Sequence, residues 1–166
     1  MIKENKKFKV IFVCLGNICR SPVAHGVFED IVNKAGFSND FEIDSAGTAA
    51  YHQGEMADRR MRETARGHNI EITHLARKIK KEDLDYFDMV LAMDSQNLFD
   101  LQSLAQNKEQ LEKIILFRTY DPLANGQEDV PDPYYGGSEG FENVYYIVSR
   151  TGKILLDKIN ENKALR

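Results

Sequence analysis

The segment VIFVCLGNICRS, from Val10 to Ser21, joins an apolar run to a short loop bounded by Cys14 and Arg20. The run is typical of a buried β-strand, and Arg-Ser-Pro after the loop is typical of the first turn of a helix. A loop between a strand and a helix N-terminus turns several backbone N–H groups toward one point, where they favour a tetrahedral oxyanion. The segment therefore predicts a phosphate-binding loop over residues 14–21.

The residue types in this loop suit chemistry at a phosphoryl group. The field of the amides favours Cys14 as a thiolate, which is the nucleophilic form. Arg20 can hold two phosphoryl oxygens at once, and Gly16 and Asn17 tolerate the positive φ that a tight loop requires. The Ser21 hydroxyl is placed to hydrogen-bond the thiolate and to help it leave. A merely structural, buried cysteine would leave these neighbours unexplained.

Composition restricts the class of protein. The chain has 166 residues with a net charge of −4, which suits one globular domain and argues against general binding to nucleic acid or to anionic membranes. Two cysteines make neither a disulfide framework nor a four-ligand zinc site, and a reactive thiol fits a reducing cytoplasm. No stretch approaches the length of a membrane span, and the basic lead-in over residues 1–8 is not followed by a signal-peptide pattern. We expect a cytoplasmic monomer.

Strand patterns alternate with helical patterns along the chain. We predict strands near residues 9–14, 41–45, 89–92 and 114–117, and helices near residues 22–34, 58–66, 81–86, after Asp94 or Ser95, and over 141–159 with a kink at Thr151 and Gly152. This alternation predicts an α/β fold with a parallel sheet and helices on both faces. Active sites in such sheets lie at the carboxyl ends of strands, where Cys14 is found.

A long loop over residues 121–140 contains a candidate for the acid that this chemistry also requires. A thiolate that attacks a phosphate ester needs an acid to protonate the departing oxygen, and Asp132 within VPDPYYGG offers one. Tyr134 and Tyr135 could stack on an aryl leaving group. An aspartate between prolines is by itself typical of a turn, so the interpretation depends on the Cys14 loop.

Five motifs, CLGNICRSP, DSAGT, ITHLARKI, LAMD and DPYYGG, resemble those of the low-molecular-weight protein tyrosine phosphatases, in the family's order and across nearly the whole chain. The larger tyrosine phosphatases bring their acid from upstream of the cysteine, whereas the acid here is downstream. The resemblance implies a single-domain, three-layer sandwich around a four-stranded parallel sheet of order 2-1-3-4. It also implies two-step hydrolysis of phosphotyrosine and small aryl phosphates through a phosphocysteine, without a metal or other cofactor.

The resemblance also assigns catalytic roles. Cys14 is the nucleophile, and Arg20 binds the phosphoryl group and stabilises its transition state. Asp132 is the acid in the first step and the base in the second, and Ser21 is the hydrogen-bond partner of the thiolate. Phosphotyrosine-containing proteins are the expected partners, and phosphate-like oxyanions the expected inhibitors.

Other residues are assigned to substrate binding and support. Asn17 resembles the family's loop-holding asparagine, braced by Ser45 and His74, and Cys19 matches a second cysteine that can pair with the nucleophile under oxidation. The remaining substrate-binding residues are Leu15, Gly16 and Ile18 in the loop, and Tyr51, Tyr134 and Tyr135 as aromatic walls. Asp94 is interpreted as a helix cap. The other three histidines, which show no ligand spacing, are expected to be exposed: His25, His52 and His68.

Three alternatives use the same fold or loop. Arsenate reductases need further cysteines, and none follows Cys19. Protein-arginine phosphatases carry Thr where this chain has Ile18, and Phe-Gly-Gly where it has Tyr-Tyr-Gly, which favours phosphotyrosine here. A non-catalytic phosphotyrosine-binding module would have no use for Asp132 beside Cys14 and Arg20.

Overall fold

A computed structural model describes residues 6–134 and 136–164, with the side chains of residues 163 and 164 left out. Its centre is one sheet of four parallel strands in the order β2-β1-β3-β4. The strands are β1 (Phe8–Cys14), β2 (Phe41–Gly47), β3 (Met89–Ala92) and β4 (Ile114–Leu116). The predicted α/β class and strand order are confirmed.

Six α-helices accompany the sheet in the described part of the chain. They are α1 (Arg20–Lys34), α2 (Arg59–Gly67), α3 (Asp83–Tyr86), α4 (Ser95–Leu104), α5 (Lys108–Lys113) and α6 (Ser138–Ala164). Short 3-10 turns cover Ser38–Asp40 and Phe117–Tyr120. Among these helices, none combines the length and hydropathy needed to cross a bilayer.

Strand β1 builds both halves of the core, because successive side chains point to opposite faces. Val10 and Phe12 join α1, α2 and α6 on one face, while Ile11 and Val13 join α3 and α4 on the other. The ring of Phe12 makes edge-to-face contacts with Phe28 and Phe117. Every one of these strand residues is fully buried. The sheet is thus covered on both faces, which gives three layers.

Helix α1 begins two residues earlier than expected, at Arg20 rather than Pro22. Cys19 occupies the N-cap position without a side-chain hydrogen bond to the helix. The phosphate loop therefore passes directly into the helix, and Pro22 lies within the first turn, where its missing N–H costs nothing. The helix ends as expected, before Gly36, which has a φ of 83°.

Helices α5 and α6 also differ from expectation. The unpredicted α5 has a charged sequence and is capped by Asn107, whose side chain accepts a hydrogen bond from the Gln110 backbone N–H. Helix α6 begins at Ser138, so the loop that starts at Asp121 ends at residue 137 and not 140. The kink expected at residues 151–152 is wrong, because α6 is continuous there.

Gly152 has a packing role instead. A Cβ at this position would lie 2.9 Å from the Cδ1 of Ile31. The absence of a side chain therefore lets α6 approach α1 closely. Thr151 donates its hydroxyl proton to the carbonyl of Ile147 at 2.6 Å, which satisfies the buried hydroxyl inside the helix.

Candidate active site

The phosphate loop, residues 14–21, connects the carboxyl end of β1 to the first turn of α1. Asn17 has a φ of 56°, the left-handed conformation that asparagine tolerates better than most residues. Three loop carbonyls accept hydrogen bonds from neighbouring backbone N–H groups: Cys14 from Thr48, Leu15 from Ala49, and Ile18 from Asp58. With these carbonyls turned outward, the N–H groups of the loop can converge on the adjacent cleft.

Gly47, the last residue of β2, permits this close packing. A Cβ here would lie 2.6 Å from the carbonyl oxygen of Leu15 and 3.1 Å from the backbone nitrogen of Asn17. Neither backbone atom can move aside as a flexible side chain could. The end of β2 can therefore support the phosphate loop only because residue 47 has no side chain.

The Cys14 thiol lies against the Ser21 hydroxyl, with 2.9 Å between Sγ and Oγ. Ser21 Oγ accepts a hydrogen bond from Asn17 Nδ2 at 2.8 Å, so its own proton can be donated to the sulfur. Its contact with the carbonyl of Ala46 is longer, at 3.4 Å. All of these groups are buried. A hydroxyl proton directed at Sγ stabilises the thiolate form.

Asn17 links the loop to segments far away in the sequence. Its Oδ1 accepts hydrogen bonds from the backbone N–H of Arg77 at 3.0 Å and from His74 Nε2 at 2.9 Å. Its Nδ2 also donates to Ser45 Oγ at 3.1 Å. Because a backbone N–H can only donate, the Arg77 contact fixes the orientation of the Asn17 amide. The structure thus brings Asn17, Ser45 and His74 into one network behind the loop.

His25 belongs to the same region, so its expected exposure is wrong. It is buried, and its Nδ1 lies 3.1 Å from Ser45 Oγ. Its position three residues before the buried Phe28, on the inner face of α1, is the signal that could have identified it. Burial lowers the pKa of His74 and the nearby His25 lowers it further, against the raising effects of Asp44 and the Ser45 backbone. These surroundings favour the neutral form of His74.

The Arg20 guanidinium lies beside the cleft and is almost fully buried. Its Nη1 donates to Asp94 Oδ2 at 2.6 Å and to the Val130 carbonyl at 3.1 Å, while Nη2 lies 3.7 Å from Asp132 Oδ2. Burial alone would lower the pKa of Arg20, but the negative charges of Cys14, Asp94 and Asp132 outweigh it and raise the pKa. Arg20 is thus oriented by two parts of the chain at once, the N-cap of α4 and the long loop.

Asp94 is the predicted N-cap and also binds Arg20. Its Oδ1 accepts the backbone N–H of Asn97 at 2.7 Å as the N-cap of α4, and its Oδ2 holds Arg20. The sequence contained a signal, since Asp94 follows the carboxyl end of β3 as Cys14 ends β1. Nothing local connects it to Arg20, which is 74 positions away.

The long loop, residues 121–137, is anchored before it reaches Asp132. Asp129 Oδ1 accepts hydrogen bonds from the backbone N–H and the hydroxyl of Ser95 at 2.9 and 2.7 Å. The Val130 N–H donates to the Met93 carbonyl at 2.7 Å. The Asp132 carboxylate remains 43% exposed. These anchors present the carboxylate at the edge of the cleft, where water and a leaving group can reach it.

The cleft has a volume of about 240 Å³. It is lined by Cys14, Leu15, Gly16, Ile18, Cys19, Arg20, Tyr51, His52, Asp132 and Tyr134. Ser21 and Asn17 lie behind this lining, and Tyr135 lies outside the described residues. His52 is a wall residue that sequence reasoning missed. Its Nδ1 lies 2.7 Å from Glu55 Oε2, a pairing that only the folded loop reveals.

The two cysteines differ in their surroundings. Burial, followed by the charges of Asp58 and Cys14, raises the pKa of Cys19 well above the ordinary value for a thiol. Cys19 is therefore a neutral thiol at physiological pH, whereas Cys14 has the hydroxyl of Ser21 as a partner for its thiolate. Both cysteines are free.

The aromatic walls differ in how firmly they are held. Tyr51 is 75% exposed at the rim, while Tyr134 is 37% exposed and lies under the guanidinium of Arg60, 5.4 Å from its ring centroid. The backbone N–H of Tyr134 donates to Asp132 Oδ1 at 3.0 Å. Asp132 and this wall of the cleft are therefore connected directly.

Comparisons with known proteins agree on one family. Residues 9–165 match the family model described as low molecular weight phosphotyrosine protein phosphatase. A Mus musculus protein of that name is 45% identical, covering 90% of this chain and 94% of its own. A crystal structure of a protein tyrosine phosphatase from Entamoeba histolytica superposes with a TM-score of 0.91 at 34% identity, covering 95% and 99% of the two chains. A Drosophila arginine phosphatase gives a TM-score of 0.86 at 31% identity, covering 92% and 98%.

Proposed function

We propose specific roles for the residues of this chain, which belongs to the low molecular weight phosphotyrosine protein phosphatase family. Membership confirms the resemblance and makes the protein a cysteine-dependent phosphotyrosine phosphatase. The observation that supports the roles is the meeting of Cys14, Arg20 and Asp132 around one cleft.

In the first step, the Cys14 thiolate attacks the phosphorus atom and an S–P bond forms. The phosphoryl oxygens lie against the N–H groups of the phosphate loop and the Arg20 guanidinium, which neutralise their charge in the transition state. The bond from phosphorus to the tyrosyl oxygen breaks, and Asp132 transfers its proton to that oxygen. The products of this step are a free tyrosine side chain and a phosphocysteine.

In the second step, water hydrolyses the phosphocysteine. Asp132, now a carboxylate, takes a proton from the attacking water, whose oxygen bonds to phosphorus as the S–P bond breaks. Ser21 stabilises the departing thiolate by donating a hydrogen bond from its hydroxyl group to Sγ, the contact seen at 2.9 Å. Inorganic phosphate leaves, and Asp132 is protonated for the next cycle.

The walls of the cleft support phosphotyrosine over phosphoarginine as the substrate. Tyr51 and Tyr134 offer aromatic faces, and Ile18 adds apolar surface beside them. The arginine-phosphatase relative shares the fold, so the fold alone does not choose between these substrates. The choice has to be measured.

The test is hydrolysis of phosphotyrosine, phosphoserine and phosphoarginine peptides in EDTA, by wild type, Cys14→Ser and Asp132→Ala. We expect turnover of phosphotyrosine alone. Cys14→Ser should abolish it, and Asp132→Ala should lower kcat by about 10²- to 10⁴-fold, the usual contribution of a general acid.

The pattern across leaving groups tests the role of Asp132 further. p-Nitrophenolate needs little protonation to depart, so the Asp132→Ala variant should lose less activity on p-nitrophenyl phosphate than on phosphotyrosine. An equal loss on both would contradict the acid role. Preference for phosphoarginine would overturn the substrate class, and binding of phosphotyrosine without turnover would indicate a reader of phosphotyrosine.

We further infer that the protein works in a reducing cytoplasm, because its nucleophile must remain a free thiol. A monomer is the proposed state, because the cleft is lined by residues of a single chain. Cys19, in the same loop, is the residue proposed to pair with Cys14 under oxidation. Phosphate-like oxyanions should compete with substrate for the phosphate loop, and this competition is measurable as a competitive inhibition constant for inorganic phosphate.

A further inference from the structure

A cluster of metal-ligating side chains lies behind the phosphate loop. One ring nitrogen each of His25 and His74 and one carboxylate oxygen of Asp44 lie within 4.8 Å of one another. The two imidazoles meet edge to face, with 5.1 Å between ring centroids. The three residues come from α1, β2 and the segment before α3, so the cluster is created by the fold. The mechanism proposed above makes no use of it.

The hydrogen bonds of His74 leave a lone pair directed at a carboxylate. Asn17 Oδ1 is fixed by the Arg77 backbone N–H, so His74 Nε2 has to donate to it. A neutral imidazole with a proton on Nε2 carries a lone pair on Nδ1. That Nδ1 lies 3.5 Å from Asp44 Oδ1. These two acceptors are close enough to share one cation, either a proton or a metal ion.

His25 offers a second lone pair by the same reasoning. Ser45 Oγ accepts a hydrogen bond from Asn17 Nδ2 and can donate its own proton to His25 Nδ1, which in that tautomer carries a lone pair. The opposite nitrogen, Nε2, is paired with the Glu29 carboxylate. A carboxylate on the far nitrogen is the usual support of a histidine that binds a metal through the other.

We propose that His25 Nδ1, His74 Nδ1 and Asp44 Oδ1 form a binding site for a divalent transition-metal ion of the Zn²⁺ class. Two imidazoles and one carboxylate are a donor set that zinc accepts, with water as the fourth ligand. A tetrahedral site with zinc–ligand bonds of about 2.0–2.1 Å places its ligands about 3.4 Å apart, close to the His74–Asp44 separation.

The cavity beside the cluster gives a metal ion both access and water. It has a volume of about 210 Å³ and is lined by His25, His74 and Glu29 among others. Asp44 Oδ2 pairs with Arg77 at 3.0 Å, while Oδ1 accepts a hydrogen bond from the Ser45 backbone N–H at 2.8 Å and faces His74 Nδ1. On binding, the Ser45 hydroxyl gives up His25 and keeps its hydrogen bond from Asn17.

The position of this site would connect it to the phosphate loop. A metal ion on His74 Nδ1 leaves the Nε2–H donating to Asn17, so the network needs no change of tautomer to accept it. One imidazole and one amide would then separate the ion from Ser21 and the nucleophile. Occupancy is expected to raise the melting temperature of the protein, because the ion binds only the folded arrangement.

The test measures metal binding without the competing thiolate. Zn²⁺ is titrated calorimetrically into full-length Cys14→Ser, with and without His25→Gln or Asp44→Asn. His68→Gln is the matched control, because His68 also pairs with a carboxylate, that of Glu142 at 2.9 Å, but lies outside the cluster. Circular dichroism reports whether each variant is folded.

We expect one Zn²⁺ per chain in Cys14→Ser and in its His68→Gln derivative. His25→Gln should raise the Kd at least about tenfold, and Asp44→Asn at least as much. Co²⁺ in place of Zn²⁺ should give visible d–d bands without a sulfur-to-cobalt charge-transfer band. If Asp44→Asn does not fold because Arg77 loses one of its two carboxylate partners and keeps only Asp83, His25→Gln decides alone.

Three outcomes would overturn the proposal. They are a Kd for Zn²⁺ weaker than millimolar in Cys14→Ser, an unchanged Kd in the folded His25→Gln variant, and a charge-transfer band that places the metal on Cys19.

Discussion

Arg20 depends on Asp94 for its orientation, and a single substitution separates the two functions of that carboxylate. Asp94→Asn keeps a good N-cap for α4, since asparagine caps as well as aspartate, but removes the charge that holds Arg20 Nη1. We expect kcat for phosphotyrosine to fall by roughly one to two orders of magnitude through misplacement of the guanidinium. Steady-state kinetics measure this.

Asp100→Asn is the matched control, because Asp100 lies on the same helix and accepts a hydrogen bond from Gln96. It should leave kcat unchanged. An unchanged kcat in Asp94→Asn would show that Asp94 acts as a cap alone.

Residue-scale prediction from the sequence succeeded for some groups and failed for others. Cys14, Arg20 and Ser21 lie within one loop, so their spacing was enough to place them together. Asp94 and His25 act through partners that are distant in the sequence. A residue type that already has a local explanation, such as a helix cap, gives no sign of a second contact made by the fold.

The long loop is an element whose position is set by a few anchors rather than by its own secondary structure. Asp129→Ala would remove both hydrogen bonds from Ser95 and loosen the segment that leads to Asp132. We expect a lower kcat for phosphotyrosine, about tenfold or more, since a general acid must lie within hydrogen-bond reach of its target. The loss on p-nitrophenyl phosphate should be smaller, because that leaving group needs less protonation.

Glu128→Ala provides the comparison for this element. Glu128 is adjacent to Asp129 but exposed, and its substitution should leave kcat unchanged for both substrates. If Asp129→Ala lowered the turnover of both substrates equally, the Asp129 anchor would support the fold in general and would not specifically position Asp132.

Element boundaries were predictable where the hydrophobic pattern was strong. Strands β1, β3 and β4 contain short apolar runs, while β2 alternates apolar and polar residues at its start. Their parallel arrangement follows from the alternation with helices, and their order was implied by the family resemblance. Helix α5 was missed because its exposed, charged sequence has no apolar stripe, and its start depends on the cap at Asn107. The continuity of α6 through Gly152 is explained only by the nearby Ile31, which belongs to another helix.

At the scale of the whole molecule, Asp121 links the start of the long loop to α6. Its carboxylate is fully buried and accepts hydrogen bonds from Arg118 and Arg150. Burial alone would raise the pKa of Asp121, but Arg150, the Leu123 backbone N–H and Arg118 outweigh it and hold the pKa at about 2.

A pKa lowered by folding gives stability that is present above the unfolded value, 3.8, and is lost as the pH falls toward 2. The lost contribution is about 2 kcal/mol. Urea unfolding from pH 5 to pH 2 should show this dependence in the wild type and a flatter one in Asp121→Asn. Asp157→Asn removes an equal charge from an exposed position of α6 and should retain the wild-type slope. Parallel slopes in wild type and Asp121→Asn would contradict the assignment.

The phosphate loop is held from behind by groups that follow it much later in the chain, namely Ser45, Gly47, His74 and the backbone of Arg77. A graft of CLGNICRSP onto another scaffold would therefore carry the nucleophile and the arginine but none of their bracing. For protein engineers, the smallest portable form of the braced phosphate loop is the continuous piece from β1 through residue 77, and Asp94 and Asp132 would have to be supplied separately. Recombination within that piece would separate the phosphate loop from the later residues that hold it in place.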